Sequence, residues 1–321
     1  MSEAIRIRLS FRLEDVGGEV KRNPSIEPRQ AESTLRAAQH VVLLIHGYNN
    51  DLKAALEAFD GFHARQKDTD GDARYGVGRV FVEVCWPGDA AWGGVSAMFY
   101  MWSIRRAQES ADALADYLLA LYPVGNVRID LVAHSMGCRL SLELLKALDA
   151  KAAQLDVGRM LLMAGAVPVK LLADTQPAQR LRPAYDRVLR EGVRSLYSGS
   201  DMILAWAFPA GQSFAPGDEG LMPTALGHEF WVESSVPLNL GQVENPSAGH
   251  SDYWGWNTQP QALHCAQKAA QEIREFLQFP SAGSRSVSAR PLQESSAMEA
   301  REIAEQRFIQ ARDMENYWPE F

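Results

Sequence analysis

The sequence predicts an α/β protein built on an open, mostly parallel sheet with helices on both faces. Three observations carry this expectation. Short β-branched or apolar runs recur along the chain, each is followed by sequence of helical period, and most runs are apolar nearly throughout. A strand with two apolar faces must be covered on both, and crossover helices flanking a parallel sheet meet that need.

The first element differs. Ile5, Ile7, Leu9, Phe11 and Leu13 alternate with Arg6, Arg8, Ser10 and Arg12, which reads as a strand with one wet face at a sheet edge. The runs VVLLI (41–45), VFVEV (80–84), VRIDLVA (127–133), MLLMA (160–164), VRSLY (193–197) and EFWVE (229–233) follow as further strands. Between them, Ile104, Ala107, Ala111, Leu114, Leu118 and Leu121 make one stripe of a helix over 103–121, and a helix over 258–278 closes the folded region. Residues 281–296, SAGSRSVSARPLQESS, lose apolar periodicity and read as a linker. They separate a domain over 1–280 from a tail helix over 297–321, with Met298, Ile303, Phe308, Ile309 and Met314 on one face. That helix either frays in solvent or docks, on a partner or in a homodimer.

Composition narrows the function classes. With 46% hydrophobic and 22% charged residues in 321, the chain can bury a sizeable core and is not disordered as a whole. A net charge of -8 with scattered Lys and Arg argues against nucleic acid or an anionic membrane surface as partner. Cys85, Cys138 and Cys265 are odd in number and far apart, so neither a disulfide framework nor a metal knuckle is expected. The N-terminus lacks the apolar core of a signal peptide, and no run of about 18 apolar residues occurs, so the expectation is a cytoplasmic protein without an integral membrane span.

The stretch RIDLVAHSMGCRL (128–140) carries the chemistry. Ala133-His134-Ser135-Met136-Gly137 follows a buried strand and enters a helix marked by Leu140, Leu142, Leu144 and Leu145. This is the setting of a nucleophile elbow, a strained turn that lifts a serine oxygen clear of the sheet. Attack on a carbonyl builds negative charge, so an oxyanion hole is also required. Met136 N–H supplies one donor. The loop His46-Gly47-Tyr48-Asn49, directly behind the run 41–45, supplies Tyr48 N–H as the second, with Gly47 letting the backbone turn toward substrate.

Together these features resemble the α/β-hydrolase superfamily over roughly residues 1–280. HGYNN (46–50), WPGD (86–89), AHSMG (133–137) and YSGSD (197–201) more narrowly resemble a bacterial branch of esterase-like or lipase-like proteins. Ala133 departs from the more usual glycine of the elbow. The resemblance implies a sheet of about eight strands, a serine, acid, histidine order along the chain, and no metal or organic cofactor.

The acid and base can be sought from position. Asp201 stands just past a strand's carboxyl end and is assigned as the acid, with an N-cap for the following segment as the alternative. Among seven histidines, His250 lies in the loop before the last helix, where both chain order and setting suit a triad base; His228 is the alternative and His264 sits within a helix. His134 is assigned a structural part, its ring hydrogen bond bracing the elbow.

Substrate is inferred from aromatic content. Trp86, Trp92, Trp206 and Trp254, with His46 and Gly47, are placed on a substrate pocket at the catalytic edge, with the core as the alternative for Trp86. Residues 90–102 are expected to form a lid or pocket wall. These point to a serine hydrolase acting on a small-molecule lipophilic or acyl ester or lipid. Thioesterase, amidase and acyltransferase chemistry, and a scaffold that binds without turnover, stay open.

Overall fold

In the computed structural model, the described residues are 4–14, 18–48, 50–70, 73–89, 97–155, 157–172, 181–213, 223–231 and 239–279. Eight strands form one sheet: β1 (Ile5–Arg12), β2 (Val20–Glu27), β3 (His40–Ile45), β4 (Val80–Cys85), β5 (Arg128–His134), β6 (Val157–Met163), β7 (Leu189–Tyr197) and β8 (Leu240–Glu244). Their order is β2-β1-β4-β3-β5-β6-β7-β8. Every neighbouring pair is parallel except β1 with β2. This is the α/β-hydrolase fold.

Alternation along the strands explains the two helical layers. Val41, Leu43 and Ile45 of β3 join one apolar cluster with Leu114, Leu118, Leu140 and Leu144, whereas Val42 and Leu44 join a second with Phe59, Phe62, Ala269 and Ile273. Thus α3 (Ala97–Leu121), α4 (Met136–Ala150) and α5 (Arg182–Val188) cover one face, while α2 (Leu52–Asp70) and α7 (Pro260–Leu277) cover the other. Short α1 (Ala31–Ala37) lies on the first face, and α6 (Phe208–Gln212) continues a π-helical turn over Ile203–Ala207.

Two sequence expectations are corrected. The first strand is not at the edge: β2, VKRNPSIE, pairs antiparallel outside it and takes that position. Glu229, Phe230 and Trp231 are not in a strand. Instead the Gln242 side chain of β8 accepts from Trp231 N–H and donates to Trp231 C=O, both at 2.8 Å, as a strand neighbour's backbone would. In the segment expected as a lid or pocket wall, 90–102, α3 begins at Ala97; residues 90–96, including Trp92, lie outside the described residues. The linker and tail, 281–321, also lie outside them.

Among the described residues, no helix is long and apolar enough to cross a membrane.

Candidate active site

Loops at the carboxyl ends of β3, β5, β7 and β8 converge on Ser135. The turn out of β5 holds this residue at φ 53°, ψ -123°, a region that L-residues enter only when their surroundings force it. The forcing bonds are visible. Ser135 N–H donates to Met163 C=O at 2.9 Å, while Ser135 C=O accepts from Cys138 and Ala166 N–H at 3.0 and 3.2 Å. Small neighbours are required by distance: a Cβ on Gly137 would stand 2.4 Å from His46 O, and one on Gly47 would stand 2.9 Å from Ser135 Cβ.

Three sequence-assigned residues meet in one hydrogen-bonded line. Ser135 Oγ lies 2.8 Å from His250 Nε2, and His250 Nδ1 lies 2.8 Å from Asp201 Oδ2. With Nδ1–H donating to the carboxylate, Nε2 presents a lone pair to the serine hydroxyl. Asp201 is wholly buried. Its other oxygen, Oδ1, accepts from Ile203 and Leu204 N–H at 3.1 and 3.0 Å. The cap and the histidine partner weighed as alternatives from the sequence therefore coexist, one on each carboxylate oxygen.

Met136 N–H occupies the first position of α4, where no intrahelical acceptor exists. Tyr48 lies half-buried in the loop beyond Gly47. That loop is anchored from below by His46, which is fully buried. His46 Nδ1–H donates to Gly47 C=O at 2.9 Å, its Nε2 accepts from Trp86 N–H at 3.2 Å, and its carbonyl accepts from Trp86 Nε1–H at 2.9 Å. The two rings stack, 18° from parallel. Burial pushes the His46 pKa down to about 3, with the Arg12 charge adding to the shift, so the ring is neutral.

The pocket expectation is corrected for His46, Trp86 and Trp254. His46 and Trp86 are core residues supporting the loop. Trp254, 2% exposed, packs edge-on against Phe59 and Phe62. An indole so enclosed belongs to the core. Gly47 does touch the serine's surroundings, and Trp206 is half exposed on the turn after Asp201, beside the exposed Met202 and Ile203. His134 braces a different element from the one expected: its Nε2–H donates to His250 C=O at 2.6 Å rather than into the elbow.

Sequence reading missed the charge clamp on WPGD. Arg12 of β1 pairs with buried Asp89 and donates to Trp86 C=O at 2.8 Å and to Asn50 C=O at 3.2 Å. Arg106 of α3 donates to Pro87 and Asp89 C=O at 3.2 and 2.9 Å, its guanidinium lying over the Trp102 ring. An aspartate four residues past the end of a buried strand, with an arginine on the first strand, was the available signal.

Among the described residues, no group of three or more His, Cys, Asp or Glu is arranged to hold a metal ion.

Residues 28–175 match a family described as "Alpha/beta hydrolase of unknown function (DUF900)". No curated protein matches the sequence. Similar solved structures include TT1662 from Thermus thermophilus, 16% identical, TM-score 0.40, covering 75% of this chain and 89% of that one. The RedJ thioesterase of Streptomyces coelicolor is 15% identical, TM-score 0.40, over 74% and 91% of the two chains. Carboxyl esterase 2 of Tuber melanosporum is 12% identical, TM-score 0.38, over 74% and 78%.

Proposed function

We propose that the protein is a serine hydrolase that cleaves a carboxylic ester of a lipophilic or acyl substrate. The observation that carries this reading is the line from Ser135 Oγ through His250 to buried Asp201, with 2.8 Å at each step. His250 takes the hydroxyl proton as Oγ bonds to the acyl carbon, then returns it to the leaving alcohol as the ester bond breaks. Water, deprotonated by the same imidazole, releases the acid and restores Ser135. Met136 and Tyr48 N–H groups are assigned to the oxyanion. No step is assigned to a metal or organic cofactor.

Met202, Ile203 and Trp206, exposed beside Asp201, support an apolar substrate. Thioesters, amides or acyl transfer would use the same acyl-enzyme and differ in the leaving group or the incoming nucleophile.

The test is hydrolysis of p-nitrophenyl esters of increasing chain length by wild type and Ser135→Ala. Turnover is expected to rise with chain length in the wild type and to fall by about four orders of magnitude or more in the variant, with circular dichroism unchanged. Unaltered turnover by the pure variant removes Ser135 from the mechanism. Wild-type inertness toward the whole series favours the binding scaffold.

A further inference from the structure

One buried histidine outside the triad gives its only N–H to the loop that carries His250. His134, 6% exposed, precedes Ser135 at the end of β5. Its Nδ1 has no hydrogen-bond partner among the described residues, so with Nε2 donating to His250 C=O the ring is neutral. Burial and the nearby His250 ring hold its pKa down to about 3, in keeping with that tautomer.

Consecutive residues of the elbow thus grip the same residue at two points. Ser135 meets the His250 ring at 2.8 Å, and His134 meets its carbonyl at 2.6 Å. A ring bonded only through its nitrogens can still pivot about its side-chain torsions; a bond at the carbonyl fixes the backbone from which it swings.

The loop needs that tie. Asn245 secures its start, donating to Tyr197 C=O at 2.8 Å and Cys265 C=O at 3.1 Å. Beyond it, Cys265 Sγ–H reaches Pro246 C=O at 3.8 Å and Asn257 Nδ2–H donates to Asp252 Oδ1 at 3.3 Å. The other bonds are internal: Ala248 N–H to Asn245 C=O, Gly249 N–H to Asp252 Oδ2 at 2.9 Å, and Asp252 N–H to Gly249 C=O at 3.1 Å. Between Pro246 and Asp252 the backbone is thus tied to the domain through His250 C=O. Ser247 meanwhile sits at φ 63°, a conformation that a free segment seldom keeps.

We propose that His134 is a positioning residue for hydrolysis, holding the backbone of residues 245–252 so that the His250 imidazole stands at proton-transfer distance from Ser135. The inference rests on the serine-hydrolase reading.

His134→Phe tests it, keeping a ring of similar size and deleting the N–H. A misplacement near 1 Å at a reacting group costs about 10²-fold, so kcat is expected to fall by about that factor with KM nearly unchanged. Amide hydrogen exchange at Ala248, Gly249 and Asp252 should quicken. His134→Gln, which restores a donor, should recover about tenfold of the loss. If Phe does not fold, His134→Leu carries the same expectations. A folded Phe or Leu variant with wild-type kcat, or with unchanged exchange in the loop, overturns the proposal, as does Gln performing no better than Phe. Wild-type inertness would count against the hydrolase reading, whereas the exchange comparison still answers for His134: faster exchange supports the tie and unchanged exchange refutes it.

Discussion

Replacing Gly137 with alanine is the sharpest test of how the elbow and the His46–Tyr48 loop are fitted together. The added Cβ would stand 2.4 Å from His46 O and 2.7 Å from Ile45 O, where ordinary contact begins at 3.4 Å. Both obstacles are backbone, so no side chain can swing aside. Either α4 must lift or the β3 loop must retreat, by up to about 1 Å, the difference between ordinary contact and 2.4 Å. Retreat is resisted because the His46 carbonyl is already bonded to Trp86 Nε1 at 2.9 Å. Overpacking of this kind costs about 1–3 kcal/mol, and a drop in Tm of roughly 2–4 °C per kcal/mol is expected for a domain of this size. The larger effect falls on rate. Lifting α4 moves Ser135 and Met136 N–H, and moving the loop displaces Tyr48 N–H, so kcat should fall about 10²-fold while the fold survives. Ester hydrolysis and a thermal melt on one preparation measure both. A Gly137→Ala protein with Tm within about 1 °C and kcat within about twofold of wild type would refute the close approach and the oxyanion assignment built on it.

Asp201→Asn separates the acid's two jobs. Oδ1 can still cap the turn at Ile203 and Leu204, but an amide NH2 now faces His250 Nδ1 and favours the wrong tautomer. The expected result is a kcat loss of about 10⁴-fold with Tm nearly retained, whereas Asp201→Ala also loses about 1 kcal/mol of capping; equal kinetics of Asn and wild type would exclude Asp201 as the acid. Acid should destabilise the protein through His46 and His134, whose folded pKa values near 3 lie below the ordinary 6.5. Unfolding takes up protons that the folded rings refuse, so this stabilisation is full above about pH 6.5 and is lost toward pH 3, at up to about 1.4 kcal/mol per pH unit per ring. Urea melts from pH 7 to 4.5 should show His134→Phe with a slope shallower by about one proton's worth; identical slopes would contradict it.

The parts of the fold written in the sequence are those where local pattern and burial agree. β3, β5 and β6 are apolar on both faces because helices cover both, and the elbow is legible because Ala133 and Gly137 flank Ser135 between such a strand and a leucine-rich helix. β2 and β8 lack that agreement. VKRNPSIE contains a proline and is polar, as an edge strand tolerates, and LGQVE is largely half-exposed. Phe230 and Trp231 drew a strand reading to the wrong segment because the backbone of Trp231 is partnered by the Gln242 side chain, which no periodicity reveals. The serine, acid, histidine order implied by the resemblance, with positions past strand ends, pointed to Asp201 and His250. Nothing local distinguishes a tryptophan lining a cleft from one stacked beneath it, so the core stood only as the alternative for Trp86 at its strand end, and Trp254 was placed on the pocket.

The most direct measurement is mass spectrometry of the folded protein after reaction with a fluorophosphonate, which forms a stable adduct only with an activated serine. A single adduct on Ser135, abolished when His250 is replaced, is the predicted result. An adduct on another serine, or none on a folded sample, would contradict the assignment of Ser135 as the nucleophile.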